Sequence, residues 1–111
     1  MELRSVFVTM ISFALASVAL SAQAKELASN DRFMCSWGAG TAARAQELKL
    51  AGVSLYAARQ KIQAYKFDKA WMRMMAMGIT EQTYDSKSRY KPADVRKNFY
   101  EDCVRFKLAR K

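Results

Sequence analysis

Histidine is absent from all 111 residues. Its absence removes the commonest general base, the commonest metal ligand, and every nucleophile pair of the Ser-His or Cys-His kind. Proline occurs once and glycine four times (Pro 1, Gly 4). That is too little of either for a disordered chain or a turn-dense β-sandwich. Acidic residues are the minority charge, with 10 Asp and Glu against 19 Lys and Arg and a formal net charge of +9. They are scattered and form no recognisable carboxylate pair of the kind glycosidases use. The length excludes a doubly wound nucleotide-binding fold and a (β/α) barrel. A domain this small also leaves little room for a substrate cleft. A non-enzyme is expected, with no cofactor and no metal.

One apolar run stands out, Val6 to Leu20, interrupted only by Thr9, Ser12 and Ser17. At about 15 residues it falls short of the roughly 20 that a spanning helix needs. Basic Arg4 precedes it, and Ala22-Gln23-Ala24 and then Lys25-Glu26 follow it. Basic start, apolar stretch and small-residue site in that order read as a secretory signal peptide over 1–24. Residues 25–111 then form a single helical domain, periplasmic or secreted. The leader holds one residue of each sign, Glu2 and Arg4, so its removal leaves the net charge unchanged. No later segment is apolar enough for stable membrane insertion after cleavage.

Cysteine is nearly as rare as proline, with two residues, Cys35 and Cys103. An even count in a small exported domain points to a disulfide, and two cysteines allow one pairing. They lie far apart, so they are not a C-x-x-C redox motif. Two thiolates without histidine make a poor metal site. Closing so long a loop is worth about 4 kcal/mol in the chain-entropy model.

Helical periodicity runs through the rest. Ser29, Asn30 and Asp31 are candidate N-caps for a helix from Asp31 to Ala51, with Phe33, Trp37, Thr41 and Leu48 on one face. Gly38 and Gly40 weaken that helix by about 1 kcal/mol each, for which close approach of another helix would compensate. Gly52 ends it and Ser54 caps the next, which starts at Leu55 with Ala58, Ile62 and Tyr65 facing inward. Asp68 is a candidate cap for a third helix, Lys69 to Met77, closed by Gly78. One continuous helix from Leu55 to Met77 is the alternative. Residues 79–91 are mixed, with a loop at Asp85-Ser86-Lys87-Ser88. Pro92 opens a last helix to about Ala109, with Val95, Phe99, Cys103 and Phe106 in one stripe joined by Tyr100. The expected fold is an all-α bundle of three to four helices closed by one disulfide.

Two features bear on function. Trp71-Met72-Arg73-Met74-Met75-Ala76-Met77 concentrates methionine. Thioethers select copper(I), but methionine more often fills irregular cores or adaptable partner surfaces. Trp71, Met72, Met74, Met75 and Met77 are the candidate partner-binding residues. The second feature is the positive charge, which favours encounter with anionic partners. Arg89, Lys91, Arg96, Lys97, Arg105 and Lys107 are the candidate anion-binding residues. Arg89-Tyr90-Lys91 interleaves basic and aromatic residues as nucleic-acid binders do, but export makes nucleic acid an unexpected partner.

The leader, Cys35 followed by Trp37, an alanine-rich helix (Ala39, Ala42, Ala43, Ala45), Leu50-Ala51-Gly52-Val53-Ser54 at a helix junction, and Phe99-Tyr100-Glu101-Asp102-Cys103 near the end resemble a known layout. It is that of a loose group of small two-cysteine periplasmic helical proteins of bacteria and phages. In size, leader and early Cys-x-Trp the chain is also distantly similar to phage superinfection-exclusion proteins of the Spackle type. That likeness implies inhibition of a phage lysozyme in the periplasm and transfers no binding residue. Lysozymes are usually basic, so a basic inhibitor would need a local acidic patch, near Asp68 or Glu101-Asp102, or an acidic target. The expected function is an exported, non-catalytic binding protein that engages a protein partner in the cell envelope as inhibitor or adaptor. The alternative is a basic binder of lipopolysaccharide, peptidoglycan or phospholipid surfaces.

Overall fold

The computed structural model of the protein describes residues 27–110. The expected signal peptide, 1–24, lies outside the described residues. Four helices make up the described chain: α1 (Ser29–Leu50), α2 (Leu55–Gln63), α3 (Ala70–Asp85) and α4 (Pro92–Ala109). The fold is an all-α bundle, closed by the Cys35–Cys103 disulfide with the two Cα atoms 5.5 Å apart. No helix among the described residues is long and apolar enough to cross a membrane.

Local chemistry sets most of the boundaries. α1 starts at Ser29, with Ala28 in the N-cap position and no side-chain cap bond, so the expected caps fall inside the helix; Asp31 lies in the first turn, where its charge suits the helix dipole. At the other end Gly52 adopts φ 86°. Its N–H donates to Lys49 O at 3.1 Å and the Val53 N–H to Leu48 O at 3.0 Å. This is the paired bonding of a Schellman end, which needs a left-handed residue at Gly52. Ser54 then caps α2, its Oγ accepting the Ala57 N–H at 3.1 Å. Pro92 occupies the first turn of α4, where a missing N–H costs nothing.

Three expectations for the middle of the chain need correction. α2 stops at Gln63, so no continuous helix runs from Leu55 to Met77. Asp68 does not cap α3; Lys69 holds that position, without a side-chain bond. Gly78 does not close α3, which continues to Asp85. The cost of an interior glycine is offset by the turn that follows it. Ile79 and Thr80 are buried there, and the Thr80 hydroxyl donates to Ala76 O at 2.7 Å. Tyr84, one turn further on, donates to Val53 O at 2.8 Å and ties the end of α3 to the α1–α2 junction.

α1 is the central element, packed by α2, α3 and α4. Trp37 meets Trp71 at a centroid distance of 5.6 Å and Lys49 reaches Thr83, so α1 and α3 run parallel. Cys35 joins Cys103 at one end while Gln46 reaches Tyr90 at the other, so α4 runs antiparallel to α1. α2 is antiparallel to α3 and bound to it by the Arg59–Glu81 ion pair. The core is built from small residues of α1 (Cys35, Ala39, Ala42, Ala43, Ala45) against Ala58 and Ile62 of α2 and Met72, Ala76 and Ile79 of α3.

α4 comes within backbone packing distance of α1 alone. None of its residues is fully buried. Phe106, expected in the core stripe, is 60% exposed, because it lies near the start of α1, beyond the Cys35–Cys103 bond. Phe33, at the same end, is likewise exposed.

The glycines of α1 and α3 differ in what surrounds them. A Cβ on Gly38 would stand 2.7 Å from the Phe99 ring and 3.0 Å from the Met75 methyl, whereas Gly78 has open space. Gly38→Ala is expected to lower stability by about 1–3 kcal/mol through overpacking. Gly78→Ala should raise it by about 0.5–1 kcal/mol through helix propensity alone. Urea titration of the two variants checks both signs. Disulfide reduction gives a second expectation. α4 has no buried anchor, so its amides should lose hydrogen-exchange protection before those of α3.

Candidate functional site

The Trp71–Met77 segment does not form one surface. Met72 is buried in the core. Met75 is half-buried, with its methyl against Gly38. Trp71 and Met77 are half-buried as well, Trp71 with its ring edge-to-face against Trp37. Met74 alone of the five projects freely, at 77% exposure. Helical spacing therefore divides the cluster between core and solvent. Among the described residues no group of three or more acidic or cysteine side chains converges on a metal position.

The six basic candidates divide too. Lys107 pairs with Asp31 at 3.7 Å, each side chain only 20% exposed, and so fastens the end of α4 to the start of α1. Arg105 pairs with Asp102 one turn earlier. Arg89, Lys91, Arg96 and Lys97 are exposed. They fall together on the 86–91 linker and the first turns of α4.

Two residues on one face of α1 hold that linker in place. The Gln46 amide, wholly buried, donates to Ser88 O at 3.2 Å and Tyr90 O at 2.8 Å. Lys49 Nζ donates to Thr83 O, Ser86 O and Ser88 O at 3.0, 2.9 and 2.8 Å. Lys49 thus satisfies one of the last carbonyls of α3, Thr83 O, and the C-cap carbonyl of Ser86, which a helix end leaves without partners. Burial, and after it the charge of Arg89, push the Lys49 ammonium below the ordinary lysine value. Neither residue carries a sequence signal for this task, since their partners are backbone oxygens far along the chain.

With its linker fixed, α4 stands as a ridge between two grooves. One, about 400 Å³, runs between α3 and α4, with Val95 and Phe99 on one wall, Gln82 and Thr83 on the other, and Gln46 beneath. The other, about 300 Å³, follows the opposite α1–α4 seam over Ser36 and Ala39, where Arg96 and Lys97 meet Tyr100 and Glu101. Two of the expected anion-binding residues are therefore brought to one groove beside an aromatic ring. Tyr100 gave no functional signal in the sequence, where it reads as part of the core stripe.

Comparison with protein-family models, curated proteins and solved structures finds no match to the chain. The α4 ridge presents apolar and aromatic side chains at half or full exposure, flanked by cations.

Lys49→Met removes the donor to three carbonyls, of which only Ser88 O has a second donor, from Gln46. The expected cost is about 1–2 kcal/mol, since the site is partly open to water. Denaturant unfolding measures it, and faster amide exchange over 86–91 should accompany it.

Proposed function

We propose that the protein is an exported, non-catalytic binding module that engages a protein partner of the cell envelope along α4. The observation that supports this most is the exposure of α4. It is an 18-residue helix without one buried residue, bordered by two grooves and anchored covalently at Cys103. A helix presented in this way offers apolar anchors at i, i+4 spacing to a partner groove. Tyr100, the exposed aromatic of α4, supplies the central apolar contact, beside the half-buried edges of Val95 and Phe99, whose stripe also packs α4 on α1. Arg96 and Lys97 give orientation and favour an acidic partner. An inhibitor of a basic lysozyme fits this surface poorly, and an acidic target fits it better.

A second reading adds the exposed Arg89 and Lys91 of the linker to Arg96 and Lys97. Arg89, Lys91, Arg96 and Lys97 form a basic strip that anionic polymer or phospholipid headgroups could neutralise. The two differ in salt dependence, because exposed charges are screened over about 8–10 Å near physiological salt.

The test immobilises the disulfide-bonded protein, passes envelope extract over it, and raises the salt. A protein partner should stay bound at high salt. Tyr100→Ala should weaken its retention about tenfold or more, as truncation of an interface anchor does, while Met74→Ala leaves it unchanged. If only anionic polymer or lipid binds and salt releases it, the partner-protein reading fails and the basic strip is the binding device.

A further inference from the structure

We infer that a pocket between α1, α2 and α3 binds a small apolar carboxylate, either as a free acid or as the C-terminal residue of a peptide. Arg96 of α4 reaches both this site and the α4 surface. Trp37 and Arg44 border the pocket from α1, and Trp37 lies about 200° round that helix from Cys35, two residues on.

Size limits the occupant first. Trp37, Tyr65 and Phe67 wall a space of about 220 Å³, floored by Ile62 and Ala76, with Arg44 at its edge. An apolar cavity of about 150 Å³ holds benzene, and drug-sized ligands fill roughly 300–1,000 Å³. The space therefore takes one ring or one branched aliphatic chain and is too small for a nucleotide. The walls are preformed. Trp37 packs edge-to-face on Phe67 at 6.2 Å and on Trp71 at 5.6 Å, and Tyr65 lies 6.2 Å from Phe67. The rings brace one another and need no ligand to order them.

Charge limits it next. One guanidinium lines this pocket and two more each lie against one of its lining residues. Arg44 lines it. Arg73 lies over the Phe67 ring at 5.3 Å, held there by donation to Gln63 O at 2.7 Å. Arg96 extends from α4 across Gly40, another lining residue, with Nη1 3.3 Å from where a Cβ would stand. The Tyr65 hydroxyl beside Arg44 holds its guanidinium above the ordinary arginine value, against a smaller opposing effect of burial. The acid facing Arg44 is Glu47, 3.6 Å away on the same helix, both side chains about half exposed. An exposed pair of that kind contributes little, so an incoming carboxylate displaces Glu47 easily. A planar guanidinium donates two parallel hydrogen bonds to a carboxylate, which fixes its orientation. The apolar part of the ligand then points down between the rings.

The test uses the purified, disulfide-bonded protein with 3-phenylpropionate, N-acetyl-Ala-Ala-Phe, and the C-terminal amide of that tripeptide. Binding is followed by tryptophan fluorescence and calorimetry. At least one of the two carboxylates should bind saturably, and the amide should bind about tenfold more weakly than its acid. Arg44→Gln should weaken the carboxylates by a similar factor while leaving the unfolding midpoint unchanged; Arg44→Lys should restore binding only in part. Tighter binding of the tripeptide than of phenylpropionate identifies a peptide terminus as the natural class, and the reverse order identifies a free acid. No saturable signal from either carboxylate up to about 10 mM overturns the proposal. So does an amide that binds as well as its acid.

Discussion

The place of α4 depends on how closely its backbone can approach α1. The facing surface of α1 is Cys35, Gly38, Ala39 and Ala42, all buried, and the Phe99 ring occupies the space that a Cβ on Gly38 would need. Small residues let two backbones come together, but they also leave little side-chain area to bury. A helix seated on one neighbour gains dispersion contact along a single line, whereas a helix in a closed bundle gains it on two sides. α4 accordingly has no buried residue. The disulfide and the half-buried Asp31–Lys107 pair fasten one end of it. The Gln46 and Lys49 bonds to the preceding linker fasten the other. A small domain has little core to spare, and here the covalent bond does what a second packing surface would otherwise do.

That arrangement sends large apolar residues outward. With alanine and glycine filling the middle, Trp37, Phe67 and Trp71 collect at the edge where α1, α2 and α3 meet, and Val95, Phe99 and Tyr100 line the seams of α4. Isolated exposed apolar residues are ordinary on any protein. Aromatic groups gathered beside arginine at two separate places are a different matter. Both lie where a helix contacts α1 through small residues, so exposed surface and thin core have one cause.

What the sequence revealed divides by range. Gly52, Ser54 and Pro92 act on backbone groups within a few residues, and their roles were legible without coordinates. The disulfide was legible because two cysteines allow one pairing. Gly78 misled because a glycine can end a helix or be carried through one; the decision lies with the burial of Ile79 and Thr80, which only the tertiary fold supplies. The methionine run showed that its side chains must point around a helix, but not which of them α1 would cover. Lys49 and Gln46 were illegible as linker anchors, since their partners are carbonyl oxygens about forty residues away with no side-chain signature. The aromatic pocket draws on three helices and looked like ordinary core at each.

Charge is the last constraint, and it is not spread evenly over the molecule. Arg44, Arg59, Arg105 and Lys107 each face a carboxylate, and Lys49 is committed to carbonyls. Of the exposed cations, Arg89, Lys91, Arg96 and Lys97 share one stretch, the linker that Lys49 holds and the turns that follow it, while Lys61, Lys66, Lys69 and Arg73 form another between α2 and α3. Arg89 lies close enough to Lys49 to lower its proton affinity, after the larger effect of burial. The linker that Lys49 and Gln46 hold thus carries a cation that repels one of its own anchors, and the bonds made by Gln46 are the uncharged support of the same contact.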